Sequence, residues 1–332
     1  MRNAQTWVDV RVHAVRDVTP TVREFTLKPD GPAVTHEPGG HLQVQILLGQ
    51  GDQRVGEGKL HTRSYSLIGQ PDGEFYRIAV KRLDEGRGGS LAMWRLNVDD
   101  RLLCSQPQNH FSLDLSAPAY LLLAGGIGVT PFVGMAHVLA QRGAAVRMQF
   151  GASSSDELAF LDVLKPLLGS RLSTAVAQLG ETIDFAAEIA ALPLGAQAYV
   201  CGPVPMLEAV RRAWSLAGRK PSDLRYETFG SSGRFAPKAF RVQIPRHQLD
   251  ITVSADCSLL DALALQGVQT LYDCRRGECG LCAMDVLALQ GEIDHRDVFL
   301  SEDEKSANTK ICVCVSRVVG EITLDSAYRL DA

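Results

Sequence analysis

The sequence predicts a multi-domain fold, in which an antiparallel β-barrel precedes an α/β domain with a parallel sheet and a small α+β domain. The chain of 332 residues is longer than one ordinary hydrophobic core accommodates. From Ala119 onward, short alternating runs give way to strands that alternate with helices. Five of the eight cysteines lie between Cys274 and Cys314. We place the domains at residues 1–112, 113–230 and 239–332, with the Gly-, Ser- and Pro-rich segment FGSSGRFAPK as the linker before the third.

The composition is that of an ordinary globular protein. Hydrophobic residues make up 45% and charged residues 22% of the chain, and the formal net charge is −4. This balance disfavours nucleic acid as a partner. The N-terminal segment alternates polar and apolar residues and lacks the apolar core of a secretory signal, so we expect a cytoplasmic protein. No apolar run reaches the roughly 18 to 20 residues that cross a bilayer, so we expect no membrane span.

The first domain contains a candidate flavin motif. Its runs WVDVRVHAV, VREFTL, HLQVQILL and RIAVKRL, separated by Gly, Pro and Asp, are typical of a small antiparallel barrel or sandwich. Arg63-Ser64-Tyr65-Ser66 fits the R-x-Y-S/T motif of ferredoxin-reductase flavoproteins. The arginine would pair with a flavin phosphate, the tyrosine would pack on the flavin, and the Ser66 hydroxyl would bond to flavin N5. These four residues alone also fit an ordinary strand.

A glycine-rich segment follows the next strand, which ends in AVKR. Free backbone amides at a helix start favour a phosphate, although a flexible turn is the alternative interpretation. The candidate residues of this strand and helix start are Val80, Lys81, Gly86, Gly88, Gly89 and Ser90.

The second domain begins with a strand that turns through glycines into a helix, LLLAGGIGVTPF. Such a turn lets the backbone approach a pyrophosphate at the helix N-terminus, although it is not a full GxGxxG and could be a packing turn. The candidate nucleotide-binding residues of this turn are Gly125, Gly126, Gly128 and Thr130.

A second nucleotide element is Cys201-Gly202-Pro203, at the carboxyl end of the strand AQAYVCG. Ligands bind at this end of parallel strands, and we interpret Cys201 as the group that flanks nicotinamide C4, with simple packing as the alternative. The segment ASSSDE after the strand that ends at Gly151 offers no Arg or Lys for a 2′-phosphate. It therefore favours NADH over NADPH.

The most specific pattern is Cys274-x4-Cys279-x2-Cys282, the spacing of plant-type 2Fe-2S ferredoxins. A tight loop must bring three thiolates together, and Gly277 and Gly280 let backbone amides approach the sulfurs. The alternative is a zinc site, but zinc ribbons use two C-x2-C pairs. We therefore predict an iron-sulfur cluster.

Two cysteines compete for the fourth position. Cys312 leaves 29 residues after Cys282 and Cys314 leaves 31. Spacing favours Cys312, but the segment CVSRVVGEITLD that begins at Cys314 is like the closing turn and strand of ferredoxins. We predict Cys314 as the ligand and Cys312 as a small buried hydrophobe.

In this order, the motifs resemble those of the phthalate dioxygenase reductase family, which includes reductases of vanillate and related aromatic demethylases. The matching segments are RSYSL, AVKR with GRGGS, LLLAGGIGVTPF, VCGPVPM, RYETFG, C-x4-C-x2-C, GEIDHRDVFLSEDEK and CVSR. The resemblance implies a flavin-binding barrel, a ferredoxin-reductase-like NADH domain and a plant-type ferredoxin domain of β-grasp fold. It implies FMN rather than FAD, with GRGGS at its phosphate. Tyr226 falls where the family has a phenylalanine that shields the flavin.

The resemblance implies that hydride passes from NADH to FMN and single electrons then pass through the cluster to a Rieske non-haem iron oxygenase. Ser66, Cys201 and Tyr226 are the candidate catalytic residues. Arg275 and Arg276 either meet an acidic patch on the oxygenase or are solvated surface charges. The aromatic substrate would bind the oxygenase, so this chain does not specify it.

Two other functions are the alternatives to an oxygenase reductase. A self-sufficient oxidoreductase that reduces a small acceptor directly has no catalytic constellation to support it, because His110, His137 and His295 are isolated in sequence. The HRD at His295 lacks the other kinase elements and is interpreted as surface or ferredoxin-loop structure. A non-enzymatic protein with structural zinc is the third possibility, and it would be colourless.

Overall fold

The computed structural model describes residues 6–48, 59–84, 88–229 and 235–325. The chain divides into two compact units, Met1–Glu227 and Thr228–Ala332. Across the described ranges, every helix is too short or too polar to traverse a bilayer. Residues 230–234 of the predicted linker, and Gly86 of the glycine-rich segment, lie outside the described residues.

The first sheet of the first unit is antiparallel and contains seven strands. They are β1 (Trp7–Thr19), β2 (Val22–Pro29), β3 (Gly40–Leu48), β4 (Lys59–Ser66), β5 (Tyr76–Lys81), β6 (Arg101–Ser105) and β7 (Gln108–Asn109), with helix α1 (Gly89–Trp94) between β5 and β6. Their order is β4-β3-β6-β1-β2-β5, and β7 pairs with β3. A bridge between Leu67, just after β4, and Ile78 of β5 joins the two ends. The predicted antiparallel barrel is therefore confirmed.

The barrel forms because its strands alternate apolar and polar side chains. In β2, the buried residues Phe25, Leu27 and Pro29 alternate with partly exposed neighbours. Since successive side chains of a strand point to opposite faces, this pattern places one face of the strand in the core. Val10, Phe25, Leu42 and Ile78 from four strands meet in one hydrophobic cluster.

The second sheet of the first unit is parallel and has helices between its strands. Its strands are β8 (Tyr120–Gly125), β9 (Val146–Ala152), β10 (Leu172–Val176), β11 (Gln197–Cys201) and β12 (Leu224–Glu227), and its helices are α2 (Thr130–Gln141), α3 (Leu161–Leu168), α4 (Phe185–Ala190) and α5 (Val204–Leu216). The strand order is β10-β9-β8-β11-β12, with every neighbouring pair parallel. The chain winds outward from β8 to β10 and then returns to the other side with β11. Ligands of such sheets bind at this reversal, beyond the carboxyl ends of β8 and β11.

The second unit contains a five-stranded mixed sheet with two short helices. Its elements are β13 (Phe240–Ile244), β14 (Leu249–Val253), α6 (Leu259–Leu265), β15 (Ala283–Asp294), α7 (Glu302–Ala307), β16 (Lys310–Cys312) and β17 (Arg317–Asp325). The order is β14-β13-β17-β15-β16, in which only the β13–β17 pair of these described strands is parallel. Ser258 caps α6 and Ser301 forms a capping box on α7, so each short helix has a defined start. This sheet confirms the predicted α+β class of the third domain.

Candidate functional site

The two predicted flavin segments meet in the barrel. Arg63 lies on β4 opposite Val44 of β3, and its side chain passes beside the first turn of α1. A Cβ atom on Gly89 would lie 2.9 Å from Arg63 Nε, so only glycine allows this approach. Gly88, just before α1, has φ +79°, which also favours glycine. A guanidinium beside a glycine-rich backbone is suited to a phosphate group.

Other residues predicted for the flavin site make contacts within the protein. The Lys81 ammonium lies 2.6 Å from a carboxylate oxygen of Glu157, in the ASSSDE segment. The Ser90 hydroxyl accepts the backbone N–H of Leu83 at 3.1 Å. Val80 is buried, and its carbonyl accepts the Trp94 indole N–H at 3.0 Å. These three residues therefore hold together the strand end and the helix start that contain the predicted flavin segment.

The remaining motif residues of β4 are placed by their strand. Ser64 pairs with Gln43 and Tyr65 pairs with Leu42 of β3. Burial raises the pKa of the Tyr65 phenol, so this side chain is neutral at all physiological pH values.

The two predicted nucleotide segments lie against each other where the strand order reverses. Cys201 of β11 pairs with Ala124 of β8. A Cβ atom on Gly128 would lie 2.1 Å from the Cys201 carbonyl oxygen, and one on Gly125 would lie 2.7 Å from Pro203 Cδ. These two glycines are therefore required by the close packing of the two turns.

Gly126 has a different role from its neighbours. Its φ is +54°, and an added Cβ atom would meet nothing within 4 Å. The backbone at Gly126 is thus accessible from the carboxyl edge of the sheet, where a pyrophosphate would approach. Thr130 uses its hydroxyl internally, donating to the Ile127 carbonyl at 3.0 Å. The hydroxyl therefore closes the turn that leads into α2.

A buried carboxylate connects the barrel with the parallel sheet. The Ser66 hydroxyl donates to Glu227 Oε2 at 3.3 Å, and Cys201 Sγ lies 3.9 Å from the same oxygen. All three residues are buried. The ends of β4, β11 and β12 thus bring a hydroxyl, a thiol and a carboxylate together, a set that can orient a ligand and exchange a proton.

Glu227 is the residue that the sequence-based prediction missed. Tyr226, the predicted flavin-shielding residue, precedes it on β12, and successive side chains of a strand point to opposite faces. The Tyr226 ring lies below the Arg211 guanidinium of α5, 5.7 Å from its carbon. The structure therefore brings Ser66 and Cys201 together with Glu227, whereas Tyr226 contacts a helix. The sequence did contain a signal for Glu227. It is an acidic residue at the end of the last parallel strand, and ligands bind at that edge of such sheets.

In the cysteine loop of the second unit, residues 274–282, three backbone N–H groups converge on one sulfur atom. Cys274 Sγ accepts the N–H groups of Arg276, Glu278 and Cys279, each at 3.4 Å. Such converging amides are the environment of a cluster-bound thiolate. A Cβ atom on Gly277 would lie 2.8 Å from Asp297 Cα, so the loop can close only with glycine at this position.

Gly280 meets a similar restriction on the other side of the loop. Its φ is +73°, and a Cβ atom there would lie 2.2 Å from the Phe299 ring. The two glycines together let the loop wrap tightly between Asp297 and Phe299. This cradle fits a 2Fe-2S cluster, because it leaves the loop amides free of side chains that would hold them away from the sulfurs.

The competing cysteines lie on either side of Val313. Cys312 ends β16 opposite Ala283, whereas Cys314 lies in the turn before β17. Hydrogen bonds from the Cys312 and Cys314 thiols lower the pKa of Cys282 to about 4. Cys314 also receives the backbone N–H of Gly277 and so contacts the cysteine loop itself. Both thiols therefore reach Cys282, but Cys314 shares the amide environment of the loop.

The arginines of the loop pair within the second unit, which corrects their interpretation as solvated charges. Arg275 pairs with Asp261 of α6, and its guanidinium lies 5.1 Å from the Tyr272 ring centroid. The Arg276 side chain is 5% exposed and lies 3.4 Å from a Glu278 carboxylate oxygen. Neither arginine extends into solvent, so their charges stabilise the loop from within.

The HRD segment also belongs to the loop structure. Asp297 accepts the Leu300 N–H at 2.9 Å and the Ser316 hydroxyl at 3.0 Å, and His295 Nδ1 lies 3.6 Å from it. Val298 N–H donates to the Gly277 carbonyl at 3.0 Å. Of the two interpretations of this segment, ferredoxin-loop structure is the one that its burial and contacts support.

Similar proteins match along nearly the whole chain. Residues 243–319 match the family model described as a 2Fe-2S iron-sulfur cluster binding domain. The β subunit of the heme-dependent oxidative N-demethylase of Ectopseudomonas mendocina is 35% identical over 324 residues, which cover 96% of this chain and 99% of that protein. Phenoxybenzoate dioxygenase subunit β of Ectopseudomonas oleovorans is 37% identical over 96% of this chain and 97% of its own.

A solved structure is also similar along nearly the whole chain. The structure described as phthalate dioxygenase reductase, a modular structure for electron transfer from pyridine nucleotides to 2Fe-2S, superposes with a TM-score of 0.78 at 29% identity. The match covers 96% of this chain and 98% of that one. With the barrel, the parallel sheet and the cysteine loop in the same order along the chain, this protein belongs to the phthalate dioxygenase reductase family, the flavin-, NAD(H)- and 2Fe-2S-dependent electron-transfer oxidoreductases.

Proposed function

We propose that this chain is the NADH-dependent reductase component of an oxygenase system. The observation that supports this most directly is the presence of two sites in one chain. The first unit contains the Ser66–Cys201–Glu227 centre at the carboxyl edge of a nucleotide-type sheet. The second unit contains a cysteine loop whose amides converge on Cys274. A chain with both is suited to take up a hydride and release electrons singly.

The residues of the first unit would hold both nucleotides. Arg63 and the backbone at Gly88 and Gly89 would bind the flavin phosphate. The Gly126 backbone would admit the dinucleotide pyrophosphate, and Cys201 would pack beside the nicotinamide. When bound, the flavin supplies the conversion between two-electron hydride uptake and one-electron release.

The Ser66–Cys201–Glu227 centre would align the reacting groups. The Glu227 carboxylate orients the Ser66 hydroxyl by accepting its hydrogen bond, so the serine oxygen would keep a defined position toward the flavin. Cys201 is fully buried against the same carboxylate oxygen, which excludes water from this side of the site. Tyr226 is kept as a flavin-shielding candidate on the family resemblance alone, since its ring contacts Arg211.

We propose FMN as the flavin and NADH as the electron donor. Among the described residues, the Arg63 guanidinium lies beside Gly89 and is suited to a phosphate, and the family resemblance favours FMN. Release of the flavin with acid, followed by chromatography, should give FMN. Recovery of FAD would contradict this assignment without affecting electron transfer.

For the cluster, we propose Cys274, Cys279, Cys282 and Cys314 as ligands. Three loop amides on Cys274 and the Gly277 amide on Cys314 support this set, because cluster sulfurs are stabilised by such N–H groups. Hydrogen bonding from the Cys274 thiol lowers the pKa of Cys279 to about 6, so this ligand ionises readily.

We propose a Rieske non-haem iron oxygenase as the partner, with both proteins in the cytoplasm, where NADH is available. The relatives that serve phenoxybenzoate and phthalate dioxygenases favour this partner. The demethylase relative is heme-dependent, so a haem oxygenase is the competing candidate. Under anaerobic conditions the NADH-reduced chain should reduce a phthalate-type Rieske oxygenase faster than a haem demethylase subunit. The opposite order would assign a haem partner.

The function itself is tested by one anaerobic titration. The purified protein should be coloured, and NADH should bleach both the flavin and the iron-sulfur absorbance. Cytochrome c should then be reduced in an NADH-dependent way. A colourless protein with zinc near stoichiometry and little iron would contradict the proposed function.

A further inference from the structure

Thr228, the first residue of the second unit, is attached to the cysteine loop by its backbone and its side chain. It is completely buried. Its N–H donates to Glu278 Oε1 at 2.5 Å. Its hydroxyl lies 3.2 Å from the same oxygen and 3.1 Å from the Arg276 carbonyl oxygen, and it can donate its single proton to either.

The two residues that Thr228 binds are two of the three that point amides at Cys274 Sγ. Arg276 N and Glu278 N each lie 3.4 Å from that sulfur. The Glu278 carboxylate is also 3.4 Å from the Arg276 guanidinium, and both side chains are nearly buried. Thr228 therefore contacts the carbonyl of Arg276 and the side chain of Glu278, the same two residues whose N–H groups face the sulfur.

These contacts matter for redox chemistry because an N–H···S bond stabilises the extra negative charge of a reduced cluster. Hydrogen bonds to the sulfurs are one of the factors that set the reduction potential of iron-sulfur clusters. A loop that lets the amides move away would make the cluster harder to reduce. The position of Arg276 and Glu278 is thus expected to influence the potential, and Thr228 contacts both residues.

We propose that Thr228 is a positioning residue of the cluster, which raises its reduction potential by holding the Arg276 and Glu278 amides against Cys274. This inference rests on the proposed function, which assigns Cys274 as a cluster ligand. Thr228 acts only through the loop and touches no cysteine sulfur in the contacts described above. It follows that its side chain sets how readily the cluster accepts an electron.

The test compares Thr228→Val with Thr228→Ser in the full chain. Valine has the shape of threonine but lacks the hydroxyl, whereas serine keeps the hydroxyl. The cluster potential is measured by a redox titration followed by the electron paramagnetic resonance of the reduced cluster. Thr228→Val should lower the potential, and a tenfold shift of this one-electron equilibrium corresponds to about 59 mV. Thr228→Ser should stay close to the unaltered chain.

A second pair of variants separates hydrogen bonding from charge. Glu278→Asp keeps the negative charge but withdraws the carboxylate from Thr228, so it should lower the potential as Thr228→Val does. Glu278→Gln keeps an acceptor oxygen and removes a negative charge, so it should raise the potential. These variants test the proposal even if Thr228→Val does not fold.

The outcomes distinguish this inference from the proposed function. An unaltered chain without a 2Fe-2S resonance signal would overturn the ligand assignment itself. A normal signal, with equal potentials in Thr228→Val, Glu278→Asp and Thr228→Ser, would overturn only the role of Thr228. A raised potential in Thr228→Val would overturn it as well.

Discussion

At the scale of single residues, the Glu227 carboxylate connects the other two members of the Ser66–Cys201–Glu227 centre. One oxygen accepts from Ser66 at 3.3 Å and lies 3.9 Å from Cys201 Sγ. Removing it would leave a buried hydroxyl and a buried thiol without their shared acceptor. Small displacements of groups that position a substrate can cost about a hundredfold in rate.

We predict that Glu227→Ala slows flavin reduction by NADH about tenfold to a hundredfold. The rate is measured by anaerobic stopped-flow absorbance of the flavin. Glu302→Ala, which removes a carboxylate 79% exposed on α7, is the matched control and should leave the rate unchanged. If Tyr226→Ala were slow and Glu227→Ala were not, the shielding role of Tyr226 would be supported instead.

A second residue-scale prediction concerns the two adjacent cysteines. Cys314 is in contact with the Gly277 amide of the cysteine loop, while Cys312 lies in the β16 ladder opposite Ala283. Cys312→Ser should keep the cluster absorbance, the iron content and NADH-dependent cytochrome c reduction. Cys314→Ser should lose or severely destabilise the cluster and retain flavin reduction by NADH. Bleaching of the Cys312 variant instead would make that residue the ligand.

At the scale of elements, we expect the turn after β9 to decide which dinucleotide is preferred. Asp156 is exposed there, and a carboxylate oxygen of Glu157 lies 2.6 Å from the Lys81 ammonium. The Lys81 ammonium is therefore neutralised by Glu157, and the exposed Asp156 carboxylate would repel a 2′-phosphate. We expect such a turn to disfavour the additional phosphate of NADPH.

We predict a strong preference for NADH over NADPH in kcat/KM. Asp156→Arg should raise kcat/KM for NADPH by about tenfold, because one favourable charged contact contributes about 1.4 kcal/mol in such a turn. Asp156→Asn removes the negative charge without adding a positive one and serves as the control for charge repulsion alone. Equal use of both dinucleotides by the unaltered chain would contradict the role of this turn.

The segment that follows β15 predicts a pH dependence of stability. Burial raises the pKa of Asp297, but hydrogen bonds from His295, the Leu300 amide and Ser316 outweigh it, and the pKa is lower than its ordinary value of 3.8. A carboxyl whose pKa is depressed by folding stabilises the fold above its unfolded pKa and loses that contribution as pH falls. Asp297 therefore stabilises the second unit above about pH 4.

We predict that Asp297→Asn lowers the free energy of unfolding by about 2–3 kcal/mol at pH 7. The difference from the unaltered chain should shrink as pH falls below about 4, where the carboxyl takes up a proton in the unfolded chain, and it should vanish as pH falls through the lower pKa of the folded state. Thermal unfolding of the second unit between pH 3 and pH 7 measures both effects. A difference that did not change with pH would mean that Asp297 contributes through packing rather than charge.

At the scale of the whole molecule, the fold could be predicted because its determinants are local. Alternating runs specify the barrel, strand–helix alternation specifies the parallel sheet, and the spacing of Cys274, Cys279 and Cys282 specifies the loop. The motif glycines were also found, although Gly125 and Gly128 serve the packing of two turns as well as access to a ligand. Each of these patterns lies within one short segment of sequence.

The contacts that sequence reasoning missed join distant segments of the chain. Glu227 acquires its role from Ser66, which lies 161 positions earlier in the chain. Lys81 meets Glu157 at a separation of 76 positions. Thr228 meets Glu278 at a separation of 50. No periodicity connects such pairs, because only the tertiary fold brings their strands and loops together.

The pairing of β13 with β17 also determines when the second unit can form during synthesis. Val242 of β13 pairs in parallel with Ile322 of β17, so the first and last strands of this sheet are neighbours. Until β17 has been synthesised, β13 lacks its partner on that side, and the turn with Cys314 is not held by the strand that follows it. Domains generally fold as units during synthesis. The sheet that supports the cysteine loop can therefore be completed only after the ribosome has passed β17, although β13 and β14 are made first.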